Sequence, residues 1–582
     1  MRVTLKQYRD LFVQYLRTQK LRFALLCVVL LTSIGLQVGI PTVARYFIDA
    51  AMRGSDDTTL MFAAVGYIIL ALMQQAFAVG SVYMGEVVAW NATNKLRADL
   101  ARHCLRLDMS YHNDTRPGEL IERIDGDVTQ LSNFFSQLII MVVGNLLLMA
   151  GILVVMFGVD WRLGITFTIF TVTTVYSLFR VRSIAVEPEK ESRQAVTEMF
   201  GFLEEHLSGT EDIRSSGAVS FVIHQLYRHH YKIYKTRFKA AMTRMWIVIT
   251  AFLLIATGYG LALILGYGLF SSGVITLGTV YLIVSYTRLL SRPLNELTRQ
   301  VENLQNAGAS LERLEELLQH KTKVYDGEEG AIIPKGALSV SFENVTFGYS
   351  AEEPVIKDVS FTLEAGQILG LLGRTGSGKT TIARLLSRLY DPQDGKIFLG
   401  GVDTQTALLP ALRKRVAIVT QDVQLFQASI RDNLTFFDQS IPDEHLLDVI
   451  DKLELGEWLE ALPNGLDTRL ETGGRSLSAG EAQLLAFTRV FLRNPGLVIL
   501  DEASSRLDPA TENLIERAVE KLLQDRTGIV IAHRLGTVQR ADGILILEDG
   551  ESIEEGVRSE LASDTSSRFY DLLQTGLEEV LA

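Results

Sequence analysis

Six apolar runs, at residues 23–40, 60–88, 138–159, 163–179, 246–270 and a less pure one at 279–290, set the terms for this chain. A helix crosses a bilayer core with about 20 apolar residues, and backbone polar groups in lipid must be satisfied inside the segment. A single such run fits a buried soluble helix; six fit a membrane bundle. No small-residue cleavage site closes the first run, and Gln37 and Pro41 stand where it ends, so it reads as a span and not as a signal peptide.

Orientation follows from lysine and arginine. Arg2, Lys6, Arg9, Arg17, Lys20 and Arg22 precede the first run, six more basic residues lie between Lys95 and Arg123, and eleven between Arg180 and Arg244. The other side has Arg53 and Arg162 beside Asp56, Asp57 and Asp160. The N-terminus is therefore expected in the cytoplasm, and an even number of spans returns the chain there. Connections on the outer side are short, at 52–59, 159–162 and 271–278. The inner ones, at 90–133 and 180–244, are long and keep helical apolar spacing, as in Leu96, Leu100, Cys104 and Leu107. The spans are expected to continue as helices into the cytoplasm. Their tips, near Ser110-Tyr111-His112 and Ser208-Gly209-Thr210, are expected to rest on the soluble half.

Charge divides the chain where hydropathy does. Residues 1–320 carry 30 Lys+Arg and 26 Asp+Glu, whereas residues 321–582 carry 26 and 42. An acidic C-terminal half argues against a nucleic-acid partner. Two cysteines, Cys27 in an apolar run and Cys104 in a charged stretch, exclude a disulfide scaffold. The expected organisation is a membrane domain at 1–318, a linker at 319–336 without periodicity, and a soluble domain at 337–582.

The soluble domain opens on a phosphate-binding motif: Gly373-Arg374-Thr375-Gly376-Ser377-Gly378-Lys379-Thr380 follows an apolar strand at 368–372 and leads into a helix at 381–389. Glycines let backbone N–H groups curl round a phosphate, and the helix N-terminus faces the anion. Lys379 is placed to reach the β- and γ-phosphates and the Thr380 hydroxyl to hold Mg²⁺. A second apolar strand, Leu497-Val498-Ile499-Leu500, ends in Asp501-Glu502. Carboxylates at the C-terminal end of such a strand lie where open α/β sheets bind ligands. Asp501 suits the Mg²⁺ shell and Glu502 a base that polarises attacking water.

These residues resemble the ATP-binding cassette (ABC) family, in particular its exporter-type half-transporters, across essentially the whole chain. Leu477-Ser478-Ala479-Gly480-Glu481 is similar to the family signature, usually Leu-Ser-Gly-Gly-Gln. The resemblance implies that Gln421 is the Q-loop residue contacting Mg²⁺, that Tyr349 stacks on adenine, and that Thr381 lies in the nucleotide loop. It further implies that Asp508 ends the D-loop Ser505-Arg506-Leu507-Asp508 and that His533 contacts the γ-phosphate. The implied fold is an α-helical six-span transmembrane domain with long cytoplasmic extensions, fused to an α/β P-loop NTPase. In the family, ATP is held between two cassettes, the second contributing the signature serine and glycine, here Ser478 and Gly480. One chain with one cassette must then dimerise, and hydrolysis drives inward-to-outward switching.

The signature departs from the family pattern. Ala479 adds a methyl beside the nucleotide, and Glu481 puts a negative charge near a helix start that should hold phosphate, which is unfavourable for hydrolysis. Since Glu502 and His533 are intact, the expected assembly is a heterodimer whose partner lacks the catalytic base, with a homodimer as the alternative. Few ionisable groups interrupt the spans: Glu86 and Arg288 near inner ends, Arg45 and Asp49 near an outer end. That suits an amphipathic or hydrophobic cargo (drug, lipid or peptide) more than ions or sugars. An ATP-gated channel or regulatory subunit shares this architecture and is the alternative function, disfavoured by Glu502 and His533. With the first span beginning near residue 21, no leader-peptide processing is expected. The setting is expected to be a bacterial or archaeal plasma membrane.

Overall fold

A computed structural model describes residues 19–327, 330–350, 352–420, 423–471, 477–501, 509–531 and 538–575. The chain separates into two compact units, one made of the residues up to Leu105 with Pro117–His320, the other of Arg106–Arg116 with Lys321 onward.

The first unit is helical. Its long elements are α1 (Lys20–Met52), α2 (Asp57–Arg106), α5 (Gly144–Val159), α6 (Trp161–Ser208), α7 (Val219–Ser271) and α8 (Leu277–Gln319). Among the described residues, five helices are long and apolar enough to cross a membrane: Lys20–Met52, Asp57–Arg106, Met141–Val159, Trp161–Ser208 and Val219–Ser271. The sixth run lies in α8, where Arg288, Arg292 and Pro293 dilute it. The breaks between spans follow local chemistry. Asp160 accepts the Arg162 N–H at 2.8 Å to cap α6, and the Thr276 side chain caps α8. Both long connections begin as continuations of the apolar helices, α2 running to Arg106 and α6 to Ser208.

Packing in this unit centres on Leu148, Ile152 and Met156 of α5, Phe167 of α6, and Leu282, Ile283 and Tyr286 of α8. Tyr286 is wholly buried and donates its hydroxyl to the Val38 carbonyl at 2.8 Å. Before the helix α4 (Val128–Gln137) runs a π-helical turn, Glu122–Asp127. It delivers Asp127, 2% exposed, to the Ser310 hydroxyl (2.9 Å) and Arg313 Nε (2.8 Å) of α8.

The second unit is a two-sheet α/β domain. Strands β1 (Val340–Phe347), β2 (Ile356–Leu363), β4 (Asp394–Leu399) and β5 (Val402–Asp403) form an antiparallel sheet in the order β2-β1-β4-β5. Strands β3 (Ile368–Gly373), β6 (Val416–Val419), β7 (Leu497–Asp501), β8 (Thr527–Ile531), β9 (Gly543–Glu548) and β10 (Glu551–Val557) form the other, ordered β10-β9-β3-β8-β7-β6. Neighbours in this sheet pair in parallel except β9 with β10. Strands β3, β7 and β8 are buried almost throughout, which is why each reads as an unbroken apolar run instead of an alternating one.

The stretch after His320 is pinned along this domain. Asp326 accepts the Leu409 N–H at 2.9 Å, and the Tyr325 carbonyl accepts from Arg388 at 2.8 Å. The short helix α3 (Met109–Asp114) belongs to this unit as well, so the tip near Ser110-Tyr111-His112 packs with the second unit. Asp108 caps it through the Ser110 N–H at 3.0 Å and also accepts the Lys323 N–H. Asn113 donates to the Tyr390 hydroxyl at 2.6 Å. The second tip, Ser208-Gly209-Thr210, lies in the first unit.

Candidate functional site

Strand β3 ends at Gly373, and the next helix, α9, runs from Lys379 to Leu386. It begins two residues earlier than its apolar pattern suggests, because Gly378 takes a left-handed conformation at φ +106° as its N-cap. A Cβ there would come within 2.5 Å of Ile356 Cδ1, so glycine alone lets the loop close. Gly376, at φ +88°, is different: nothing lies within 4 Å of where its Cβ would be, leaving its backbone open to a ligand.

The loop is built round a buried cation. Lys379 is 6% exposed and donates to the carbonyls of Gly373 (2.6 Å) and Arg374 (3.0 Å). Ser377 is 3% exposed, and its hydroxyl has no hydrogen-bond partner among the described residues. A buried ammonium, an unsatisfied buried hydroxyl and an open glycine backbone at a helix N-terminus together fit a polyphosphate. Thr380 donates to Asp501 Oδ2 at 3.3 Å. A hydroxyl and a carboxylate at that separation, beside a phosphate loop, fit the hard oxygen ligation of Mg²⁺. Arg374 and Thr375 are exposed, whereas Thr381 is buried beneath the helix start.

Tyr349 flanks this loop. Its hydroxyl lies 3.1 Å from Thr381 Oγ1 and accepts from Arg384 at 2.9 Å, and the Arg384 guanidinium sits 5.7 Å from the ring centre. The Phe347 and Tyr390 rings meet Tyr349 edge-on at 5.2 and 5.3 Å. Burial pushes the Tyr390 phenol above its ordinary pKa. The register of β3, β8, β7 and β6 brings the strand ends Gly373, Ile531, Asp501 and Val419 to one edge of the sheet. Gln421, Glu502, Asp508 and His533 lie outside the described residues.

The signature forms the start of a helix, α10 (Ala479–Arg493). Ser478 is its N-cap and accepts the Glu481 N–H at 3.3 Å, while Glu481 Oε2 accepts the Ser478 N–H at 2.7 Å, a reciprocal capping box. The other oxygen, Oε1, accepts the Trp458 indole N–H at 3.0 Å. Glu481 is thus tied into the helix start, and Gly480 is buried behind it. One turn before its end, α10 carries Arg489, 7% exposed, which donates to the carbonyls of Asn433 (2.6 Å) and Gln424 (2.9 Å). Burial pushes its pKa down to about 10. Trp458, Arg489, Tyr390 and Asn113 escape sequence reasoning; for Arg489 the available signal was an arginine set in the apolar run of α10.

Comparison with known proteins agrees with this geometry. Residues 23–294 match the ABC transporter transmembrane region and residues 356–505 match the ABC transporter family. An uncharacterized ABC transporter ATP-binding protein of Bacillus subtilis, YfiC, is 31% identical over 540 residues, covering 92% of this chain and 88% of that one. The mitochondrial iron-sulfur clusters transporter ATM1 of Candida glabrata is 30% identical over 570 residues, covering 95% and 78%. An ATP-dependent lipid A-core flippase of Alcanivorax borkumensis is 29% identical over 532 residues, 90% of each chain. A bacterial Atm1-family ABC exporter solved with ATP bound has the same fold, with a TM-score of 0.79, 24% identity and coverage of 96% and 98%. The chain belongs to the ABC transporter family. It has the layout of an exporter half-transporter, a helical transmembrane domain followed by one ATPase cassette, and its activity is ATP hydrolysis coupled to transport.

Proposed function

We propose that this chain is one half of a dimeric exporter that moves an amphipathic or hydrophobic molecule out of the cytoplasm, with ATP hydrolysed between two cassettes. The observation that carries the reading is the phosphate loop, where the buried Lys379 and the Ser377 hydroxyl, without a partner among the described residues, fit an anion at the start of α9. In this reading Gly373, Arg374, Thr375, Gly376, Ser377, Gly378, Lys379, Thr380 and Thr381 hold the phosphates and Tyr349 stacks on the base. Thr380, Asp501 and Gln421 would hold Mg²⁺, which when bound neutralises charge on the phosphates. Glu502 orients and deprotonates the attacking water, and His533 addresses the γ-phosphate. Ser478 and Gly480 close the site of the opposite cassette, with Asp508 at the same junction.

The division into a membrane domain at 1–318, a linker at 319–336 and a cassette at 337–582 belongs to the same reading. So does a cytoplasmic N-terminus and cassette in a bacterial or archaeal plasma membrane, supported by the bias of basic residues towards the inner connections. The cargo class rests on the sparsely charged spans. Relatives named for lipid A-core and iron-sulfur clusters differ too much in cargo to narrow it.

Dimerisation follows from the half-transporter layout, and we infer a heterodimer from Ala479 and Glu481 in the signature. A homodimer is the second reading, favoured by one observation: both Glu481 oxygens are already satisfied by Ser478 and Trp458, which holds the charge in the capping box. The test is ATP hydrolysis by the chain alone in lipid, beside Glu502→Gln. Negligible turnover from folded, nucleotide-binding protein is the heterodimer outcome. Robust turnover abolished by Glu502→Gln establishes a self-sufficient homodimer, and turnover that survives the substitution overturns the assignment of the base.

A further inference from the structure

Tyr349 is backed from one side of its ring. The ring centres of Phe347 and Tyr390 lie 5.2 and 5.3 Å from that of Tyr349 and 5.4 Å from each other. These distances form a nearly equilateral triangle, so both neighbours approach Tyr349 from the same side. Tyr349 remains 43% exposed, whereas Tyr390 behind it is 6% exposed. The Tyr349 hydroxyl is tied separately, to Thr381 and Arg384 of α9. A base stacking on the open side therefore meets a ring whose tilt is set by its two aromatic neighbours.

The two neighbours are held differently. Phe347 is the last residue of β1, and the sheet fixes it. Tyr390 stands in the loop after α9, where the buried Arg388, in a left-handed backbone conformation, donates to Asp391 at 2.8 Å and to the Ala407 carbonyl at 3.1 Å. Those bonds secure the backbone of the loop and leave the Tyr390 phenol to its own contacts. The phenol accepts from Asn113 at 2.6 Å, and Asn113 comes from α3, in the N-terminal half of the chain. At the start of α3, Asp108 accepts the Ser110 N–H at 3.0 Å and the Lys323 N–H, so the helix that presents Asn113 is itself anchored.

Resting on the reading that Tyr349 stacks on the base, we propose that Tyr390 and Asn113 are positioning residues for nucleotide-base recognition. Asn113 fixes the Tyr390 phenol, Tyr390 fixes the tilt of Tyr349, and affinity for the base depends on a residue far outside the nucleotide domain. The hydrogen bonds of Lys379 and Thr380 in the phosphate loop involve neither residue, so the dependence belongs to the base and not to the phosphates. Linkage makes it reciprocal: a bound base steadies α3, and phosphate alone does not.

The test is calorimetric titration of the full chain in nanodiscs with ADP, beside pyrophosphate, which has the same phosphates and no base. Tyr390→Leu is expected to weaken ADP by about two- to tenfold and to leave pyrophosphate unchanged. Asn113→Ala and Tyr390→Phe remove the same hydrogen bond; each is expected to weaken ADP by up to about fivefold, and the double variant no further. These two serve if Tyr390→Leu does not fold, and retained pyrophosphate binding shows that each variant is folded. In the wild type, ADP and not pyrophosphate is expected to slow amide hydrogen exchange in α3. ADP affinity unaltered by the Tyr390 or the Asn113 variants, an equal loss for pyrophosphate, or equal protection of α3 by both probes overturns the proposal. Tyr349→Ala separates it from the reading beneath it. If Tyr349→Ala spares ADP, the base does not stack there and both fail; if it weakens ADP while Asn113→Ala does not, the positioning role alone fails.

Discussion

The indole of Trp458 donates to the same carboxylate, Glu481, that closes the capping box of the signature helix. Glutamate has two acceptor oxygens and uses one for Ser478 and one for Trp458; glutamine has a single acceptor oxygen and an amide that can only oppose the indole N–H. Glu481→Gln, though it restores the residue usual at that position of the signature, is therefore expected to lower cassette stability by about 1 kcal/mol. Trp458→Phe should cost a similar amount, and the double variant less than the sum. Chemical denaturation of the four proteins checks this. Strict additivity would mean that the two side chains do not interact.

The phosphate loop makes a sharper claim. Lys379 is held by the carbonyls of Gly373 and Arg374, which fixes its ammonium inside the loop. Charge-assisted hydrogen bonds contribute about 1.5–3 kcal/mol each, so Lys379→Met is expected to weaken nucleotide binding by at least roughly tenfold. Titration with a fluorescent ATP analogue measures it. Unchanged affinity would place the phosphates elsewhere.

Arg489 bears on stability instead. Its buried guanidinium satisfies Asn433 and Gln424 backbone carbonyls and lies 4.8 Å from the Phe436 ring centre. Arg489→Met leaves those buried carbonyls without donors, a loss of about 2–4 kcal/mol, read as a lower denaturation midpoint. Arg489→Lys should recover only part, since a point charge cannot reproduce a fork of donors.

What was readable in the sequence was whatever a single local segment must satisfy. A span needs a continuous apolar run, and a phosphate loop needs glycines between a strand and a helix, so both stood out. The α8 span was faint because Arg288, Arg292 and Pro293 interrupt it. Contacts joining distant segments left no local trace: Asn113 and Tyr390 are 277 residues apart. The π-helical turn that aims Asp127 at Arg313 looks in sequence like any acidic stretch. Glu481 was legible as a departure from the signature, but its tie to Trp458 was not, and that tie changes what its charge can do.

Asp108 gives a pH dependence. Desolvation pushes its carboxyl up, but the hydrogen bonds from the Ser110 hydroxyl and from the Lys323, Tyr111 and Ser110 N–H groups outweigh it, so the folded pKa lies below the ordinary value. A depressed acid stabilises the fold above its unfolded pKa, and that contribution is lost as pH falls through the folded one. Wild type is therefore expected to be more stable than Asp108→Asn at neutral pH, with the gap closing only below about pH 4. Thermal midpoints of both proteins from pH 7 downward check it. A gap that persists at low pH would assign the effect to shape and not to charge.

Where the end of α1 meets the start of α8, Asp49 accepts the Gly278 N–H at 2.9 Å and the Thr276 hydroxyl at 2.7 Å. It thus acts as a second cap for α8, supplied by α1, where a helix N-terminus favours an anion. Gly278 permits the approach, since a Cβ would fall 2.5 Å from the Arg45 carbonyl oxygen. Gly278→Ala should force the two helix ends apart and cost about 1–3 kcal/mol. Asp49→Asn, which keeps one acceptor oxygen of two, should cost less, and Thr276→Val, which spares the Gly278 contact, least. Thermal unfolding of the three variants in nanodiscs ranks them. The reverse order, with Gly278→Ala harmless, would mean that the C-terminal end of α1 is not docked on α8.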